Sequence, residues 1–176
     1  MATVDEIIHD KGVIFLGGEI DDVKAENVCK QIIAMNSTEK LKKIELIINS
    51  GGGHISPGFS IINMIEWSRI PVYTIGLGLT ASAALMILMT GKKRTITART
   101  SICSHRHSWQ LKGSHAQILA ENEENKMLFD KVVKHYIKYS KIKTEKELKK
   151  TLLKEVDAYL TPNKALKYGL VDKIMY

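Results

Sequence analysis

From Ile70 to Gly91 the chain runs for 22 residues without a charged side chain. A run like this must leave water, either across a bilayer or inside a folded protein. Pro71, Thr74, Gly76, Gly78, Thr80 and Ser82 divide it into a β-like piece, a glycine-bearing turn and a run of small and long apolar residues. A helix covered on all sides within a protein has that last character. We therefore read a strand Val72–Ile75, a turn at Gly76-Leu77-Gly78 and a buried helix from about Ala81 to Met89, with no membrane span.

The same alternation repeats on both sides of this run. Val13 to Leu16 is β-branched and aromatic and is expected to end as a strand at Gly17-Gly18; the helical spacing of Val23, Val28, Ile32 and Met35 predicts a helix between Asp22 and Met35. Ile44 to Ile48 is nearly all apolar, as in a strand covered on both faces, and Asn49-Ser50-Gly51-Gly52-Gly53 is expected to end it. Ser56-Pro57 reads as a cap and a first-position proline for a helix that buries Phe59, Ile62 and Ile65. Arg94–Thr97 and Ser101–Ser104 read as strands, and Ser114 to about Tyr139 as a long helix. Thr144-x-x-Glu147 and Thr161-Pro162 start two more helices before a last strand, Leu170–Ile174. Strand and helix in alternation imply right-handed crossovers and a mainly parallel sheet, an α/β fold in one domain over residues 1–176. Sites in such folds gather in the turns that follow the strands.

Composition narrows the function classes. Lys and Arg total 26 against 19 Asp and Glu, a net charge of +7, and 44% of residues are hydrophobic, enough for a sizeable core without staples. Seven of the lysines lie between Tyr136 and Glu155, where Ile137, Ile142, Leu148, Leu152 and Leu153 supply a buried side, so the surplus is a solvated helix face. Without an RNP-like motif, zinc-finger spacing or P-loop, no nucleic-acid partner is expected. Cys29 and Cys103 are too few for a disulfide framework and suit a reducing compartment, so the cytoplasm is expected. Met1 to Lys11 carries Asp5, Glu6 and Asp10 and no apolar stretch of signal-peptide length.

Two strand-to-helix turns carry the chemistry. Gly51-Gly52-Gly53 leaves backbone N–H groups unobstructed, as an oxyanion or phosphate needs, although a plain turn explains glycines equally well. Ser82 opens the buried helix and, on local pattern alone, is a cap. His105 follows the strand Ser101–Ser104, where its ring can reach another turn; a surface or core role is the simpler account of a lone histidine. His105-x-His107, with His54 and His115, raises a zinc site, but no third ligand falls at a recognised spacing. Asp157 borders the apolar Ala158-Tyr159-Leu160, where an acid is costly unless paired. Spacing alone does not join these residues.

At these residues the chain resembles the ClpP family, the proteolytic subunit of the Clp protease and a branch of the crotonase-like superfamily. Val13-Ile-Phe-Leu-Gly-Gly-Glu-Ile-Asp21 is similar to the family's first strand and turn. Ile48-Asn-Ser-Gly-Gly-Gly-His-Ile55 resembles its Asn-Ser-Pro-Gly-Gly stretch, with Gly51 in place of the proline. Gly78-Leu-Thr-Ala-Ser-Ala83 resembles the nucleophile segment, His105 follows a Lys-Arg turn and two short strands, and Asp157 to Ala165 with Tyr168 to Asp172 resembles the C-terminal block. The resemblance implies repeated βαβ units with a protruding handle helix, residues about 106–140. It also implies a serine endopeptidase with the triad Ser82, His105 and Asp157, an oxyanion hole from the N–H groups of Gly53 and Ala83, and no cofactor or metal. The implied partners are copies of the chain in a heptameric ring or stacked double ring, peptide or unfolded-protein substrates, and a Clp-type ATPase unfoldase. Three departures touch those partners: only twelve residues precede Val13, Arg106 to Gly113 replaces a glycine-rich strand, and Val156 stands where many relatives carry a ring-bridging arginine. A catalytically inert ring subunit and a crotonase-type acyl-CoA enzyme are the alternatives.

Overall fold

The computed structural model describes residues 3–38, 40–106 and 113–176. Strands β1 (Val13–Ile20), β2 (Ile44–Gly53), β3 (Val72–Ala81), β4 (Arg94–Thr97) and β7 (Lys173–Met175) lie side by side in that order, all parallel. β3 is long enough to serve two neighbours. Its first part, Thr74 to Gly76, pairs with β4, and its last part, Leu79 to Ala81, pairs with β5 (Ser101–Ser104). β6 (Ala158–Leu160) then adds to β5 as the antiparallel member. The sheet is α/β and mainly parallel, as expected.

Helices α2 (Asp22–Asn36), α3 (Ile55–Trp67) and α4 (Ala83–Thr90) connect the first strands. α4 packs on both β2 and β3 and beside α3. Every residue of α4 is buried, which is where the uncharged run goes. Among the described residues no helix is long and apolar enough to cross a membrane. Helix α5 (His115–Tyr139) begins at a Ser114 cap and buries only Val132, Val133, His135 and Tyr136. At about 1.5 Å per residue it extends roughly 37 Å, and its buried residues all lie in its C-terminal half. α6 (Glu145–Thr151), α7 (Pro162–Tyr168) and the short α1 (Val4–Asp10) complete the chain.

Arg94 anchors the C-terminal end of α5. Its guanidinium makes an ion pair with Asp172 at 2.5 Å and donates to the carbonyls of Tyr139 and Gly169 at 2.7 and 2.8 Å, joining β4, α5 and the approach to β7. These contacts hold Asp172 below the usual carboxylate range: burial pushes it up, and the Arg94 bonds outweigh that. Glu66 on α3 receives the Lys138 ammonium at 2.6 Å and the Tyr139 hydroxyl, a second tie to α5.

Several sequence expectations are corrected here. β1 does not stop at Gly17-Gly18; it continues to Ile20 across a register shift between Gly17 and Glu19. β2 likewise continues through its glycines, because parallel pairing uses only backbone groups. It is also fully buried on one face only, with Ile44, Leu46 and Ile48 inside and Glu45 and Ile47 half-buried. β3 runs on through the expected turn at Gly76 to Gly78. His54, not Ser56, is the cap residue of α3, so Pro57 occupies the third helical position, where the N–H it lacks has no helical acceptor. The last strand starts at Lys173 rather than Leu170. α1, with a Thr3 and Glu6 capping box, was not expected.

Candidate active site

The end of β2 is shaped by its neighbours. Ser50 is buried; its hydroxyl donates to the Gly18 carbonyl and accepts from the Gly52 N–H at 3.0 Å, fastening the glycines to β1. The Asn49 carboxamide accepts from the Leu79 N–H at 3.1 Å, tying this turn to β3. Gly52 has φ +98, and a Cβ there would lie 2.7 Å from the Ser82 Cβ and 2.8 Å from the Ala81 carbonyl. Only glycine fits beneath Ser82. At Gly53, φ +153, a Cβ would collide with Ile20 backbone at 2.3 Å.

Ser82 has φ 54 and ψ −125, the one non-glycine residue with positive φ among those described. Its side chain makes no cap bond to α4, so the cap expected from local pattern is not formed. Its backbone is held instead: the N–H donates to the Cys103 carbonyl at 3.0 Å, and its carbonyl accepts from Leu85 and Met86 at 3.1 and 3.2 Å. A strained backbone held from both sides aims the hydroxyl away from the helix it begins. The next residue, Ala83, is the first of α4, so its N–H has no acceptor within the helix. The Ala83 nitrogen lies beside Gly52, 3.1 Å from where a Cβ there would stand.

His105 and Asp157 flank a paired ribbon. Ile102, Cys103 and Ser104 on β5 pair antiparallel with Leu160, Tyr159 and Ala158 on β6. His105 directly follows that pairing and Asp157 directly precedes it, so both stand at the same end of the ribbon, where the Arg106 N–H donates to the Lys154 carbonyl at 2.9 Å. The Tyr159 hydroxyl donates to the Asp157 carboxylate at 3.4 Å. The Cys103 thiol is pushed up by burial and then by the Asp157 charge, which puts that carboxylate within electrostatic reach of β5. Asp157 is exposed, however, so the expected cost of burying an unpaired acid does not arise. His105 Nδ1 lies 2.8 Å from the Arg106 carbonyl. A carbonyl only accepts, so Nδ1 carries the proton and Nε2 is left as the acceptor.

Ser82, His105 and Gly53 line one open cleft of about 640 Å³. Glu19, Asp22 and His54, with Asn125 and Leu128 of α5, also line it. Among the described residues Asp157 is not part of that lining. Asp157 stands at the end of the ribbon where His105 follows β5, whereas Ser82, His105 and Gly53 share open space. Among the described residues no group of three or more His, Cys, Asp or Glu could hold a metal. His107, half of the His-x-His pattern, and most of the departing segment Arg106 to Gly113 lie outside the described residues.

A buried strand ending in glycines, a strained serine at a helix start and a histidine on the next strand are what the sequence resemblance led us to expect, and comparison with known proteins decides the family. The family model described as Clp protease matches residues 1–176. The chain belongs to the Clp protease family. It is 34% identical over 169 residues to the ATP-dependent Clp protease proteolytic subunit of Borrelia garinii, a match covering 93% of this chain and 84% of that one. It is 32% identical over 163 residues to proteolytic subunit 2 of Treponema denticola, covering 92% and 80%. With the Deinococcus radiodurans subunit it shares 28% over 165 residues, covering 93% and 79%. The expectation of a ClpP-like serine peptidase, from a family of oligomeric proteases, is borne out at that level.

Sequence reasoning missed the supporting residues. Ser50, Asn49 and Gly52 hold the turn in place, and Tyr159 touches the acid. Asn49 and Ser50 stand directly before the glycines, and polar residues that bond their own turns are common in that position. Tyr159 gave no such signal, because its role depends on the pairing of β5 with β6.

Proposed function

We propose that this chain is a serine endopeptidase that cleaves peptides and unfolded proteins with Ser82 as nucleophile, His105 as base and Asp157 as its orienting acid. The observation that carries it is Ser82 itself: a strained serine with no cap bond, opening on a cleft that His105 and Gly53 also line. Ser82 Oγ attacks the peptide carbonyl and gives its proton to His105 Nε2, the nitrogen left unprotonated by the Nδ1 contact. The carbonyl oxygen gains the negative charge, and the N–H groups of Gly53 and Ala83 receive it, worth about 3 kcal/mol per donor in comparable sites. The imidazolium then delivers its proton to the leaving amine as the C–N bond breaks. Water, deprotonated by the same ring, hydrolyses the acyl-enzyme. In this step Asp157, at the same end of the β5–β6 ribbon, takes over from the Arg106 carbonyl as the partner of Nδ1–H.

We further propose one peptidase domain over residues 1–176 with residues about 106–140 as the handle, acting in the cytoplasm. Copies assemble into a heptameric ring or stacked double ring around the cleft, and a Clp-type ATPase unfolds folded substrates. Both cysteines are free, which fits a reducing compartment. The test is intact-mass labelling by a serine-reactive fluorophosphonate, with native mass spectrometry on the same sample. One adduct per subunit that is lost in Ser82→Ala and His105→Ala supports the proposal. Absence of labelling on an assembled ring overturns it in favour of the inert subunit, a reading that draws on the His105–Arg106 contact.

A further inference from the structure

Two adjacent residues on one buried turn of α5 reach both elements that carry the reacting pair. His135 Nε2 donates to the Met86 carbonyl at 2.9 Å, and Met86 lies one helical turn beyond Ser82 on α4. The Tyr136 hydroxyl is 2.9 Å from the Ser104 hydroxyl, and Ser104 immediately precedes His105 on β5. All four residues are deeply buried: His135 is 6% exposed, Tyr136 1%, Met86 5% and Ser104 0%.

Neither contact is needed to fill space or to rescue an orphaned group. The Met86 carbonyl already accepts from the Thr90 hydroxyl at 2.9 Å, so it does not require an imidazole. The His135 ring lies among Phe59, Tyr136 and Tyr139, surroundings that an aliphatic or aromatic side chain would fill without burying a polar ring. The Ser104 and Tyr136 hydroxyls satisfy each other, and an apolar pair of the same shape would be close to neutral in stability. What these bonds add is direction. A hydrogen bond fixes separation and angle, whereas apolar packing tolerates sliding.

We infer that His135 and Tyr136 are positioning residues, a bracket on α5 that adds to the direct Ser82–Cys103 bond in setting the start of α4 against the end of β5, and so tunes the separation of Ser82 from His105. The inference rests on the assignment of those two residues as nucleophile and base. His135 holds the nucleophile's helix and Tyr136 the base's strand. Neither touches the substrate. Misplacing reacting groups by a fraction of an ångström to 1 Å costs rate far more than it costs binding.

The variants are His135→Leu, which keeps volume and loses the donor; His135→Gln, whose carboxamide N–H can still reach a carbonyl; and Tyr136→Phe. Each is assayed for kcat and KM on a short fluorogenic peptide, for the rate of fluorophosphonate labelling, for native mass and for amide hydrogen exchange. The bracket predicts wild-type mass, KM within about twofold, and kcat and labelling rate lowered about 10-fold in His135→Leu and Tyr136→Phe, with His135→Gln recovering to within about threefold. It also predicts faster exchange at Leu85 and Met86 in His135→Leu, and at the end of β5 in Tyr136→Phe. Wild-type kcat in correctly assembled His135→Leu overturns the bracket. So does a kcat loss that His135→Gln does not recover, since that is the signature of packing alone. If wild type shows no Ser82-dependent labelling while the exchange changes appear as described, the peptidase assignment fails and the two α5 contacts stand.

Discussion

The two halves of the site are built in opposite ways. The serine half lies in the core: Gly52 leaves no room beneath Ser82, Cys103 holds its N–H, and every residue of α4 behind it is buried. The histidine and acid half hangs from the pairing of a four-residue strand with a three-residue one, with Asp157 and Tyr159 both exposed. The first half is fixed by sterics that cannot yield, the second by a register that sets position but leaves side chains free to turn. On the proposed roles this contrast gives a preformed nucleophile and an adjustable base, and each prediction below strains one side of it.

The largest effect is expected from Ser82→Ala, which should lower peptide turnover by about 10⁴-fold or more with the native mass unchanged, as read by peptide hydrolysis beside native mass spectrometry. Gly52→Ala should come next, at about 10³-fold in kcat, because the new methyl would have to displace Ser82 or the Ala81 carbonyl. If Gly52→Ala stayed near wild type, the rigid half would be softer than its contacts indicate. A third test concerns stability. Burial holds the His135 imidazole down to about 4 from the ordinary 6.5, against the Met86 bond and the Glu66 charge, which push it up. Because the folded value lies below the unfolded one, this stabilisation is complete above about pH 6.5 and is lost as pH falls toward about 4, by at most about 3 kcal/mol. Urea midpoints at those two pH values, compared with His135→Leu, should show the acid loss shrinking in the variant.

On the adjustable side, Asp157→Asn should reduce kcat by about 10²-fold, less than in a triad whose acid is buried and locked. Tyr159→Phe should change kcat by less than about threefold, since the 3.4 Å contact to Asp157 is long and exposed. Steady-state kinetics on one peptide measures both. An Asp157→Asn loss as large as that of Ser82→Ala would make the two halves equally rigid and remove the contrast.

Much of this was legible in the chain before any coordinates. The uncharged run identified the buried α4, the caps at Thr144 and Thr161 are where the sequence placed them, the long helix begins at Ser114 as expected, and strands β4 and β5 keep their expected bounds. Strand ends were misread wherever glycine was taken as a stop. Gly17, Gly18 and the Gly51 to Gly53 run continue their strands because the partner strand supplies backbone bonds that no local pattern reveals. Ser82 resembled a cap because composition does not report φ. The exposure of Asp157 was equally hidden, since an apolar neighbourhood in sequence becomes an edge in space once β6 pairs on one side only. Nothing local in the sequence singles out His135 or Tyr136, because their partners lie 49 and 32 residues away.

The strained backbone of Ser82 also bears on the history of such a chain. On the proposed role of its hydroxyl, Ser82 at φ 54 and ψ −125 keeps a strain that glycine would relieve in the same geometry. A copy released from selection for hydrolysis would gain stability by drifting to glycine at position 82, whereas this chain retains serine there.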